Sequence, residues 1–242
     1  MTLNMFEEAD NTAPFPHPPL SLRLHLIVEQ ALRAAWEIML SQVRVGFDLQ
    51  TADEDTITLE LYQRLYDEIF NKGVVDGFDG NIFTSVHREP KIRNFNYSNP
   101  DKMPDLFVDF VDRPARVMNS QHGLFIECKP VDREHPTGSA YCDKGLIRFI
   151  RGDYAWTMQS AMMVGYTRKG YTLLDKLPKA LKSKRKEPIS TSFGPSNCTK
   201  SVITTSAEQV AISKHPRTFD YVENGSPAGT ITIRHLWLKR ES

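Results

Sequence analysis

The spacing of apolar residues changes near residue 80, and this change restricts the chain to folds that combine helices with a sheet. Apolar residues in 21–45 and 53–70 recur every three or four positions, as on one face of a helix. Later segments show short apolar runs and alternation with period two, which predict strands. The predicted strands are 82–86, 105–111, 124–128 and 162–167, followed by a hairpin around 224–229. This order favours an α/β or α+β fold with a central mixed sheet flanked by helices.

Other segments complete the predicted organisation. Four prolines bar regular structure from residues 1–20, which we interpret as an extended lead-in. Thr51 and Glu54 have the spacing of a capping box for the second helix. A further helical stretch covers 145–161, with a break near Gly152. We expect one domain from residue 21 onward, with a core over about 51–168, the N-terminal helix before it, and a C-terminal extension over 169–242 that carries the hairpin.

Composition narrows the class of protein. The chain has 30 Lys and Arg against 30 Asp and Glu, so it does not bind nucleic acid by overall charge. No apolar run is long enough to cross a bilayer, and the acidic start of the chain is unlike a secretory signal, so we expect a cytoplasmic protein without a membrane partner. Its three cysteines, Cys128, Cys142 and Cys198, form no disulfide framework or zinc motif.

Basic residues are concentrated in one segment. The stretch 168–186 holds eight Lys and Arg against a single acid, Asp175. Such a run is most often a solvated face, and a surface that follows a phosphate backbone is the functional alternative. The candidate nucleic-acid-binding residues are Lys182, Lys184, Arg185 and Lys186, together with Arg148 and Arg151 from the preceding helical stretch.

Three ionisable residues stand at the ends of neighbouring predicted strands. Asp105 opens one apolar run, and Glu127 and Lys129 follow another, on the same strand face, with Cys128 pointing the other way. Charges at buried strand ends are costly unless they are paired or bound to a metal. Two crowded carboxylates suit a hard divalent cation, which can activate a water and polarise a phosphoryl group. A salt bridge at a strand end explains the same residues about equally well.

Pro104-Asp105 followed by Glu127-Cys128-Lys129 resembles the PD-(D/E)XK signature of restriction-endonuclease-like nucleases. The resemblance implies a four-stranded mixed sheet flanked by helices, with the signature on the second and third core strands. It also implies Mg²⁺, with Mn²⁺ possible, bound by Asp105, Glu127 and the backbone carbonyl of Cys128. Lys129 would act at the attacking water. Both signature segments are complete, which favours an active enzyme.

Members of that family often place another metal-binding glutamate in the first core helix. On a helical wheel of 53–70, Glu54 falls inside the apolar sector and Glu60 falls on its flank. We therefore prefer Glu54 as the third carboxylate, although its part in a capping box would also explain its position.

The resulting hypothesis is a Mg²⁺-dependent endonuclease that cleaves DNA, with Asp105, Glu127, Lys129 and Glu54 as catalytic residues. By analogy with the family we expect a role in anti-phage defence or restriction, and a homodimer or partner proteins of a defence system. One alternative is a structure-specific repair or junction nuclease. Another is a non-catalytic nucleic-acid-binding or scaffolding subunit of a multi-protein complex.

Overall fold

The computed structural model describes residues 15–42, 45–183, 199–200 and 209–241. Its α-helices are α1 (Leu22–Ser41), α2 (Glu54–Gln63), α3 (Ile147–Arg151) and α4 (Leu173–Lys182). Two π-helical segments adjoin them: Arg64–Phe70 continues α2, and Thr137–Leu146 leads into α3. A 3₁₀ turn lies at Asn119–Gln121. No helix in the described ranges is long and apolar enough to cross a membrane.

In the part of the chain that the structure describes, seven strands form one mixed sheet in the order β1-β2-β3-β4-β7-β6-β5. The strands are β1 (Phe83–Arg88), β2 (Leu106–Phe110), β3 (Gly123–Val131), β4 (Ser160–Thr167), β5 (Thr199–Lys200), β6 (Gln209–His215) and β7 (Ile231–Lys239). The pairs β3–β4 and β4–β7 are parallel, and the other pairs are antiparallel. The predicted mixed sheet flanked by helices is therefore confirmed.

Helices cover both faces of the sheet, because the central strands are apolar on both sides. One face packs against α1 and α2 through residues such as Ile126 and Val164. The other face packs against the π-helical segment, α3 and α4 through residues such as Phe125 and Met163. All nine residues of β3 and all eight of β4 are buried, as expected for parallel strands between two helical layers.

The ends of the two N-terminal helices differ in detail from the prediction. Helix α1 ends at Ser41 rather than near residue 45. The capping box at Thr51 is wrong: Asp53 is the N-cap of α2, and its carboxylate accepts the backbone N–H of Thr56 at 2.8 Å. Thr51 instead donates its hydroxyl to Asp48. A carboxylate one residue before the helix caps it better than a hydroxyl three residues before it.

Two later predictions also need correction. The helical stretch predicted over 145–161 begins earlier, at Thr137. Its predicted break near Gly152 is confirmed, because Gly152 adopts a left-handed conformation with φ of 74° and ends the helix at Arg151; residues 153–161 are not helical. The hairpin around 224–229 is reduced to an isolated bridge between Asp220 and Pro227. The long antiparallel partner of β7 is β6 instead. The described part of the lead-in, residues 15–20, has no helix or strand.

Candidate active site

The candidate site lies in a notch at the edge of the β2–β3 pair. Strand β2 pairs with β3 only as far as Leu106 opposite Ile126. Strand β3 was predicted to end at residue 128 but continues to Val131, and residues 127–131 are paired with β4 alone. Glu127 and Lys129 stand on this stretch, so their side chains can reach the space that β2 leaves open.

Asp105 immediately precedes β2 and closes the ladder at the start of that strand. Its carboxylate Oδ2 accepts the backbone N–H of Cys128 at 2.5 Å. This N–H faces the side where β2 no longer supplies a carbonyl, and an unpaired buried N–H is costly. Asp105 is therefore fixed beside β3, which brings the two halves of the predicted signature into contact across 23 residues of sequence.

Lys129 is the centre of the site. Its Nζ lies 2.5 Å from Glu54 Oε1, 2.8 Å from Glu127 Oε1 and 3.5 Å from Asp105 Oδ2. It also donates to the backbone carbonyl of Cys128 at 2.8 Å. The structure thus brings together every residue predicted to be catalytic. We call Glu54, Asp105, Glu127, Lys129 and Arg148, which is described below, the Lys129 cluster.

Glu54 reaches the cluster because it is the first residue of α2. The Asp53 cap holds the start of this helix next to the notch, and Lys129 extends through the notch toward it. Glu60 lies further along α2 and forms an ion pair with Arg64 at 2.9 Å. Of the two candidates for a third carboxylate, Glu54 is the one in contact with Lys129.

Two residues contact the carboxylate of Glu127 although the sequence did not predict these contacts. Tyr154 donates its hydroxyl to Glu127 Oε2, and Arg148 Nη1 lies 3.1 Å from Glu127 Oε1. Tyr154 belongs to the stretch 145–161, which the sequence predicts only to be helical. Arg148 was expected to contact nucleic acid. Gly152 interrupts the helical period between them, so no pattern in the sequence places both on one carboxylate.

Burial divides the cluster into a closed and an open part. The side chain of Glu127 is inaccessible, whereas those of Glu54 and Arg148 are 32% and 38% exposed. Burial, together with the charge of Asp105, raises the pKa of Glu127 to about 7 despite the nearby cations. Burial also raises the pKa of Glu54. Burial opposes the charge of Lys129, but the carboxylates of Glu127, Asp105 and Glu54 outweigh it and raise its pKa.

Of the other candidate nucleic-acid-binding residues, the structure describes Lys182 and Arg151. Lys182 is exposed in the last turn of α4, which also contains Lys179. Arg151 is exposed at the end of α3. Lys184, Arg185 and Lys186 lie outside the described residues. The phosphate-binding surface predicted for 168–186 therefore stays a prediction.

The oxygen atoms of the Lys129 cluster are of the kind that binds hard cations, but the ammonium group of Lys129 lies at their centre. Within the described ranges, no three His, Cys, Asp or Glu side chains are arranged to hold a metal ion as they stand. Three carboxylates and one carbonyl nevertheless lie within 3.5 Å of a single positive charge, Lys129 Nζ. All are oxygen donors, which Mg²⁺ and Mn²⁺ prefer. A divalent ion would have to displace the ammonium.

Comparisons of the chain with protein-family models, with curated proteins and with solved structures found no match.

Proposed function

We propose that this protein is a metal-dependent phosphodiesterase that cleaves DNA. The observation that carries the proposal is the convergence of Glu54, Asp105 and Glu127 on Lys129 in a notch that is open to solvent on one side. The order β1-β2-β3-β4, with Asp105 before the second strand and Glu127 on the third, is compatible with the nuclease core that the sequence resembles.

The charge balance of the cluster supports this function over a purely structural one. In the Lys129 cluster, as the described residues define it, three carboxylates face two cations, Lys129 and Arg148. A structural ion pair has no need of surplus buried acids, because each adds repulsion and a desolvation cost. A surplus of acids at an accessible position is instead what a divalent cation would compensate.

In the proposed reaction, Asp105 and Glu127 would hold the cation together with the carbonyl of Cys128, and Glu54 would support it. A bound Mg²⁺ or Mn²⁺ would activate a water and polarise the phosphoryl group. Lys129, displaced from the carboxylates, would orient that water and neutralise charge on the phosphate. Arg148, which is partly exposed, would contact the phosphate backbone.

Cleavage of a labelled duplex in the presence of Mg²⁺ or Mn²⁺ tests the proposal. Asp105→Asn and Glu127→Gln keep the side-chain shapes and remove one negative charge, so we expect cleavage to fall about a hundredfold or more. Asp109→Asn is the matched control, because Asp109 lies on β2 but pairs with Arg113, away from the notch. Equal loss in all three variants, or full activity in the first two, would refute the assignment.

Single-stranded DNA and RNA of the same sequence belong in the same assay. Metal-dependent cleavage of RNA alone would support the proposed phosphodiesterase activity and would show that the substrate is RNA rather than DNA. Binding of nucleic acid without cleavage in either metal would favour the alternative of a non-catalytic subunit.

A further inference from the structure

Glu127 has a support of its own that lies behind the residues of the signature. Its carboxylate is wholly buried, so both oxygens depend on partners in the protein. Oε1 faces Lys129 and Arg148, while Oε2 accepts the hydroxyl of Tyr154. The two oxygens therefore have different surroundings: one faces the open centre of the cluster, and the other is bound to a neutral donor behind it.

The backbone around Gly152 brings Tyr154 to this position. The left-handed Gly152 ends α3, and the chain turns back so that Tyr154 faces the same carboxylate as Arg148. A β-carbon at Gly152 would lie 2.7 Å from the ring of Phe219, so the position has no room for a larger residue. The N–H of Asp153 donates to the carbonyl of Arg148 at 2.9 Å.

Contacts from a second segment fix the same turn. The Asp153 carboxylate binds Lys102 at 2.9 Å, and the N–H of Phe95 donates to the carbonyl of Gly152 at 3.0 Å. The ring of Tyr154 packs edge-on against Phe149 with centroids 5.1 Å apart. Tyr154 is 1% exposed and cannot reach a substrate in the notch.

We propose that Tyr154 is a positioning residue that holds Glu127 so that Oε1 points to the centre of the Lys129 cluster. The inference rests on the proposed function, since it concerns the orientation of a metal-binding carboxylate. A hydrogen bond to one oxygen restricts rotation of the carboxylate about its terminal bond and so favours one direction for the other oxygen. Residues that donate a hydrogen bond to a metal-binding side chain commonly contribute tenfold to a hundredfold to metal affinity.

Tyr154→Phe tests the role, because it removes the hydroxyl and keeps the ring. The test is to measure Mn²⁺ binding to the variant by electron paramagnetic resonance without substrate, and to measure its thermal unfolding in the presence of a chelator. We expect Mn²⁺ affinity to fall about tenfold or more. Tyr141→Phe is the control: Tyr141 is equally buried, donates its hydroxyl to the backbone carbonyl of Met163 and contacts His235, and neither of these partners is a carboxylate of the cluster. It should lose stability but keep Mn²⁺ affinity.

A second variant covers the case in which Tyr154→Phe does not fold. Lys102→Met removes the ion pair that fixes the turn from the surface, and we expect Mn²⁺ affinity to fall about two- to threefold. Lys91→Met, which removes the neighbouring exposed pair with Asp101, should leave the affinity unchanged.

The outcomes separate the two proposals. Mn²⁺ binding by the unaltered protein that Tyr154→Phe and Lys102→Met leave unchanged overturns the positioning role alone. No Mn²⁺ binding and no cleavage by the unaltered protein overturns the proposed function and the positioning role together. Equal weakening by Tyr154→Phe and Tyr141→Phe assigns the effect to general loss of packing and also overturns the role.

Discussion

Two ionic clusters among the described residues differ in charge balance and in access to solvent. In the first, Glu29 of α1 binds Arg234 of β7 at 2.8 Å and Arg33 at 3.3 Å, and all three side chains are at most 8% exposed. In the Lys129 cluster, acids outnumber bases, and two members are about one-third exposed. We call the first the Glu29 cluster.

The comparison of the two clusters indicates which buried charges are typical of a functional site. In the Glu29 cluster, which is closed to solvent, Arg234 of β7 donates two N–H groups to one carboxylate oxygen of Glu29 in α1, so the cluster is suited to fixing one element on another. The Lys129 cluster has more carboxylates than its own cations neutralise, and it has a route to solvent. Burial of charge is common to both, and the surplus of acid with access distinguishes the candidate site.

The largest expected effect is on stability, from the Glu29 cluster. Glu29→Ala would leave Arg33 and Arg234 buried without this carboxylate, and we expect the free energy of unfolding to fall by about 3–5 kcal/mol. Urea unfolding measures it. Glu37→Ala, an exposed change on the same helix, is the control and should shift the value by less than about 0.5 kcal/mol. If Glu29→Ala leaves the free energy of unfolding almost unchanged, the proposed structural role of the Glu29 cluster is wrong.

A smaller effect is expected from pH in the Lys129 cluster. Because the folded-state pKa of Glu127 is about 7 and its ordinary value is 4.5, the folded chain binds more protons than the unfolded chain between these values. Stability from this group therefore falls as pH rises through that window, by on the order of 1–3 kcal/mol.

Glu127→Gln isolates this contribution, since it keeps the side-chain shape and does not titrate. In a chelator, the difference in unfolding free energy between Glu127→Gln and the unaltered protein should grow in favour of the variant from pH 4.5 to 7. Parallel stability curves across this range would mean that folding does not raise the pKa of Glu127.

The smallest expected effect concerns metal affinity. Lys129→Met removes the ammonium that lies among the carboxylates, so a divalent ion no longer competes with it, and we expect Mn²⁺ to bind about tenfold more tightly, or 1.4 kcal/mol. Cleavage should be lost in the same variant. The control is Lys144→Met, an exposed lysine of the π-helical segment. Weaker binding after Lys129→Met would mean that the lysine organises the carboxylates rather than competing for them.

Much of the fold was predictable because burial imposes regular spacing. The helical period identified α1 and α2, and the apolar runs identified β1 to β4 within a few residues. The sequence failed where the backbone departs from regular periods. The π-helical Thr137–Leu146 has no α-helical spacing, and the pairing of β6 with β7 joins segments separated by a long connection rather than by a tight turn.

The candidate site was predictable to the extent that its residues follow strand ends. Asp105, Glu127 and Lys129 could be placed together because charged residues after buried runs must find partners. Tyr154 and Arg148 could not, since their approach to Glu127 depends on the left-handed turn at Gly152 and on the Lys102–Asp153 ion pair. Such contacts arise from tertiary structure and leave no local pattern in the sequence.

The position of β7 has a consequence for the order in which the protein can fold. Although β7 comes after all the other strands in the chain, it lies inside the sheet between β4 and β6. A nascent chain that has not yet reached residue 231 exposes the unpaired edge of β4, which is a surface prone to aggregation. The parallel pairing of β4 with β7 also closes a loop of more than sixty residues, which slows folding. Folding of the whole sheet must therefore wait for synthesis of β7.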